Sequence, residues 1–137
     1  MQENQKNLAG IRGWLLFYVI FSIVGFLINL FGLYNEFYIF KLIETLEWNI
    51  ERVYDVGAYI LLEILIVISL FYLLKKNKNG PQFTIITELI GILIGIIDFF
   101  FSNRRIDEVL ELMLTIILGT IWILYFRYSK RVKATFG

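Results

Sequence analysis

From Thr84 to Ser102 the chain reads TIITELIGILIGIIDFFFS. At about 100° per residue, Thr84, Glu88, Gly91, Gly95, Asp98 and Ser102 share one narrow stripe, and nearly every other position is Ile, Leu or Phe. A helix apolar around most of its circumference is buried in a large core or sits in lipid. The stripe is small and acidic, and Gly91-x-x-x-Gly95 has the spacing that lets helix backbones approach closely in membranes. The pattern predicts the inner face of a membrane helix over residues 83–101.

Three further stretches follow the same logic. Trp14 to Tyr34 carries no charge over 21 residues, enough to cross a hydrocarbon core of ~30 Å at ~1.5 Å per residue. It lacks the shorter core and small-residue cleavage site of a signal peptide, so it is expected to be retained. Its polar and small positions, Tyr18, Ser22, Gly25, Asn29 and Gly32, again fall on one stripe. Residues 55–74 form a second span, interrupted after Asp55 only by Glu63, and residues 109–126 form a fourth. Between the first two spans, residues 35–54 place Ile39, Ile43, Leu46, Ile50 and Val53 on one helical face, with Lys41, Glu44, Glu47 and Glu51 largely opposite. That reads as an amphipathic helix at the outer interface or as an extension of the next span. The expected fold is all-α: one polytopic domain, residues 1–137, with four transmembrane helices in a bundle and an amphipathic outer helix between the first and second.

Composition agrees with a lipid-embedded chain. Of 137 residues, 58% are hydrophobic, and the mean hydropathy is +0.71, above the apolar share of ordinary soluble domains. The net charge of +1 gives no footprint for nucleic acid, which is not expected as a partner. No Cys and no His are present, which removes disulfides, thiolate sites, the commonest general base and the commonest metal ligand. Lys and Arg are distributed unevenly. Nine lie in the N-terminus, the 75–81 turn and the tail from Arg127, against four in the two opposite connections. Positive charge marks the cytoplasmic side, so both termini are expected in the cytoplasm.

The ending from Ile121 to Phe136, IWILYFRYSKRVKATF, resembles the IW-x-x-Y-x-x-x-S-x-RVK-x-TF ending of a small bacterial four-helix membrane family, domain of unknown function 2569. Gly13-Trp14-Leu15 resembles that family's opening GWL, and Glu63, Pro81 and Asp98 fall at its E, P and D. Two departures stand out. Leu124 replaces a proline, which is expected to leave the fourth helix unkinked, and Ile66 and Val67 stand where an Asn tends to follow the second-helix Glu. The resemblance implies the four-helix fold and a location in the bacterial cytoplasmic (inner) membrane, and assigns no activity.

The candidate chemistry is a set of intramembrane polar residues. At ~1.5 Å per residue, Glu63 lies near the midplane, while Asn29, Asp98 and Glu111 sit roughly 8–10 Å towards the outer side. An acid in hydrocarbon costs about 2.5–3.5 kcal/mol on insertion scales, so the group is expected to face inward and find partners. Two uses stay open: interhelical hydrogen bonds, with Arg104 or Arg105 reaching Asp98 and Glu111, or a proton or cation pathway. Glu88, in the inner half, has no evident partner. Gly91 and Gly95 serve packing within the monomer or a homodimer seam. Arg127, Lys130, Arg131 and Lys133 form a basic tail, read as a topology signal or as a contact for anionic lipid. No nucleophile–base pair or metal constellation stands out, so neither catalysis nor a cofactor is expected. The leading expectation is a non-enzymatic accessory or interaction protein whose partners are the bilayer and either further copies of itself or another membrane protein. The alternative is a small transporter or channel component.

Overall fold

A computed structural model describes residues 9–42, 50–101 and 106–137, without the side chains of 36, 39–42 and 50–52. Among the described residues all regular structure is helical: α1 (Trp14–Leu42), α2 (Ile50–Leu74), α3 (Gly80–Phe101), α4 (Ile106–Tyr128) and the short α5 (Lys130–Phe136). Four of these are long and apolar enough to cross a membrane, over Trp14–Asn35, Val53–Leu74, Gly80–Phe101 and Ile106–Tyr128. The chain is an all-α, multi-pass membrane protein.

The described ends of the 35–54 connection continue the flanking helices. Residues 35–42 prolong α1 and residues 50–54 open α2, since no Gly or Pro interrupts either stretch. Residues 43–49, the middle of the expected amphipathic helix, lie outside the described residues. α4 runs unbroken through Leu124 to Tyr128, as expected where a leucine stands in place of a proline.

The turn between α2 and α3 is locally determined. Lys76 takes φ 51°, Asn77 N–H donates to the Tyr72 carbonyl (2.9 Å) and Lys76 N–H to that of Leu73 (3.0 Å). This is a Schellman ending with lysine where glycine is usual. Asn79 N–H donates to Asn77 Oδ1 (3.0 Å), and α3 starts at once, with Pro81 in its first turn where its missing N–H costs nothing. A side chain at Gly80 would bring its Cβ within 3.3 Å of the Tyr72 carbonyl, so only glycine fits without adjustment. Across this turn the rings of Tyr72 and Phe83 stack at 4.7 Å.

α2 packs on α1 and α3, and α3 on α4. The tightest core lies where α1 and α3 begin and α2 and α4 end, hereafter the termini end. Leu15, Tyr18 and Val19 of α1 meet Leu73 of α2, Trp122 and Phe126 of α4, and Val132 and Phe136 of α5. Tyr18 stands edge-on to Trp122 and to Phe126, each at 4.8 Å, an arrangement worth about 0.5–1.5 kcal/mol per pair beyond area burial. α5 is folded against this core. Ser129 caps it, accepting from Val132 N–H (3.4 Å), and Thr135 Oγ1 accepts from Gly10 N–H (3.0 Å). The V, T and F of the RVK-x-TF ending thus clasp the N-terminal segment. Elsewhere large apolar side chains are widely exposed, as along the outer faces of α1 and α4, an arrangement suited to lipid rather than water.

A carboxylate-lined cavity as candidate functional site

Away from the termini end the helices stand apart around a cavity of about 670 Å³. Each wall contributes polar groups: Asn29 from α1, Asp55 and Tyr59 from α2, Asp98 from α3, and Glu108, Glu111 and Thr115 from α4. Helix position explains the grouping. Asp55 lies in the second turn of α2, Asp98 in the last turn of α3, and Glu108 in the first turn of α4, with Glu111 about a turn further. Antiparallel neighbours bring those turns to one level. Gly91 and Gly95 also line the space and leave it open for want of side chains.

The two glycines differ in their surroundings. A Cβ on Gly91 would meet only Leu62 Cδ2, at 3.9 Å, whereas one on Gly95 would lie 3.3 Å from Thr115 Cγ2 of α4. The tightest of these contacts falls at a glycine outside the pair: a Cβ on Gly119 would sit 2.8 Å from Ile92 Cδ1 and 2.9 Å from its Cγ1. Gly119 shares a face of α4 with Glu111, Thr115 and Trp122, a spacing that does not single it out.

Of the four residues expected to cluster, Asn29, Asp98 and Glu111 line the cavity. Glu63 does not line it, but lies behind Asn29, whose amide is near enough to interact with it. Glu63 is 7% exposed, and neither of its oxygens has a hydrogen-bond partner in good geometry. Asp98 is exposed to the cavity and neighbours the Tyr54 hydroxyl. Arg104 and Arg105, expected to reach this level, lie outside the described residues. Asp55, Glu108 and Tyr54 stand at span ends, outside the mid-span stretch where a polar residue is conspicuous; their matching depth was the available signal. Asp98 and Glu111, where ionised, favour a positively charged occupant of this space, although among the described residues no three acids converge as metal ligands.

Below the cavity the helices are joined by neutral and singly acidic contacts. Thr87 Oγ1 lies 2.9 Å from Phe83 O of its own turn and shares a hydrogen bond with Ser69 Oγ of α2 at 2.7 Å. Glu88 has a partner after all: Tyr18 Oη donates to its Oε1 at 2.7 Å, linking α1 to α3. Tyr18 lies one turn into α1 and Glu88 two turns into α3, a depth difference of about 6 Å at ~1.5 Å per residue, so depth alone does not pair them and the long tyrosine side chain spans the gap. Among the basic residues, Arg127, Lys130 and Lys133 are exposed and Arg131 is half-buried.

The comparisons with known proteins bear on the chain as a whole. No curated protein and no solved structure matches it. Residues 8–137 match the family described as protein of unknown function (DUF2569), a span that takes in all four membrane helices, the cavity and the clasped C-terminal helix. The chain belongs to that family.

Proposed function

We propose that this protein is a non-enzymatic accessory protein of the bacterial cytoplasmic membrane, with both termini in the cytoplasm, and that its cavity receives a cationic group of a partner membrane protein. The observation that carries this reading is the asymmetry of the polar groups. The carboxyls surround a space in one half of the spans, while the other half is filled by Leu15, Tyr18, Leu73, Trp122 and Phe126. A one-ended, acid-lined recess suits binding better than conduction. A basic side chain placed there would be attracted by Asp98 and Glu111 in a medium where charge interactions exceed those in water. The second reading, a proton or cation carrier, draws on Glu63, whose buried, unpartnered carboxyl lies just behind Asn29.

Flux into purified proteoliposomes separates the two. The accessory reading expects parent liposomes no leakier than empty ones, across a pH gradient and at either membrane polarity. Flux above empty liposomes that disappears in both Asp98→Asn and Glu63→Gln would establish the carrier instead. A photo-crosslinker replacing Tyr59 is expected to capture a discrete membrane partner in cells, with the yield lowered by Asp98→Asn combined with Glu111→Gln.

A further inference from the structure

At the opposite end from the cavity, Ile121, Leu124, Tyr125 and Tyr128 recur along one face of α4 and, with Ser129, line a shallow, open groove. Ile121, Leu124 and Tyr128 are exposed, and all three lie within the membrane span Ile106–Tyr128. The Tyr125 hydroxyl is shielded from solvent yet has no hydrogen-bond partner. Arg127, which does not itself line the groove, places its guanidinium 5.7 Å from the ring of Tyr128, which does. Lys130 follows Ser129 directly, where α5 begins.

α5 turns those charges into a fixed feature. A disordered basic tail would serve equally well to set topology. Here the helix is held by Val132 and Phe136 in the core and by Thr135 on Gly10, so Lys130 and Lys133 point away from the protein at a set place. A surface that is apolar within the span and cationic at its boundary is complementary to an anionic amphiphile. We propose that this groove is a binding site for an anionic phospholipid, with an acyl chain against Ile121, Leu124 and Tyr128 and the phosphate between Arg127 and Lys130. Zwitterionic lipid fills the same apolar groove, but its amine opposes the two cations.

Native mass spectrometry of the full-length protein in detergent measures this directly, with phosphatidylglycerol and phosphatidylcholine of identical chains as probes. Phosphatidylglycerol is expected to bind more tightly, and Arg127→Gln with Lys130→Gln to weaken it about five-fold per charge removed. Lys75→Gln with Lys76→Gln, on the exposed turn at the same end, is expected to leave that preference in place. Leu124→Trp, which fills the groove, is expected to reduce binding of both lipids. Equal affinity for the two lipids would overturn the proposal. So would an equal loss from the turn pair, which would mean general attraction by the basic end. Competition by soluble glycerol phosphate at the lipid's own concentration would reduce the groove to a simple anion site, and overturn it too.

Discussion

The three glycines that face neighbouring helices form a graded series that tests the packing directly. Replacing each by alanine adds the same single carbon in the middle of a helix, so the change in helix propensity, about 0.8–1 kcal/mol in alanine's favour in water, cancels in the comparison. What differs is the nearest atom: Ile92 Cδ1 at 2.8 Å for Gly119, Thr115 Cγ2 at 3.3 Å for Gly95, Leu62 Cδ2 at 3.9 Å for Gly91. The first distance is too short for any real contact, and because Ile92 Cγ1 is nearly as close, at 2.9 Å, rotating the terminal methyl does not relieve it. Overpacking of this kind costs typically 1–3 kcal/mol. Gly91→Ala meets ordinary van der Waals distance and open cavity, so it carries no such penalty. Gly119→Ala is therefore expected to be about 1–3 kcal/mol less stable than Gly91→Ala, with Gly95→Ala between them. Unfolding by SDS titration in mixed micelles, followed by circular dichroism, measures the order. Ile92→Ala in the Gly119→Ala background removes the clashing atoms, so the double-mutant cycle is expected to show favourable coupling of about 0.5 kcal/mol or more. A Gly119→Ala variant as stable as Gly91→Ala, or additive behaviour with Ile92→Ala, would refute the closeness of α3 and α4 at this point.

Tyr18→Phe leaves Glu88 Oε1 without the hydroxyl that donates to it, and is expected to destabilise by about 1–3 kcal/mol, whereas adding Glu88→Leu recovers much of the loss because both partners are then gone; thermal melting in detergent reads both. Phe136→Ala, at a side chain 6% exposed in the core, is expected to cost about 3–5 kcal/mol by the same measurement, and stability equal to the parent would show that the C-terminal helix is not part of the core. For orientation, a cysteine at Asn49 is expected to react with an impermeant thiol reagent on intact cells, and one at the exposed Asn79 only after permeabilisation. The absence of native cysteine gives these experiments no background, and the reverse pattern would invert the proposed topology.

Much of this architecture is legible along the chain. Uninterrupted apolar runs of sufficient length specify four spans, because a backbone in hydrocarbon must satisfy its own hydrogen bonds and does so as helix. Rise per residue then assigns each polar side chain a depth, which is why Asn29, Asp98 and Glu111 could be grouped before any helix was placed beside another. The RVK-x-TF ending marked the chain's family, and its structural use became visible only when Val132 and Phe136 were found beside Leu15 and Trp122. Depth along an axis is a one-dimensional quantity. It does not state how far apart two helices stand at that depth, or which way their faces are turned. Packing decided that Asp55 and Glu108 share the cavity with Asp98 while Glu63 stays behind Asn29. It also gave Glu88 the Tyr18 hydroxyl and made Gly119, rather than Gly91 or Gly95, the glycine filled most tightly by a neighbouring side chain. These outcomes depend on helices that meet firmly around a ring-filled core at one end and diverge at the other, a property of six interhelical distances that no single helix encodes in its own pattern.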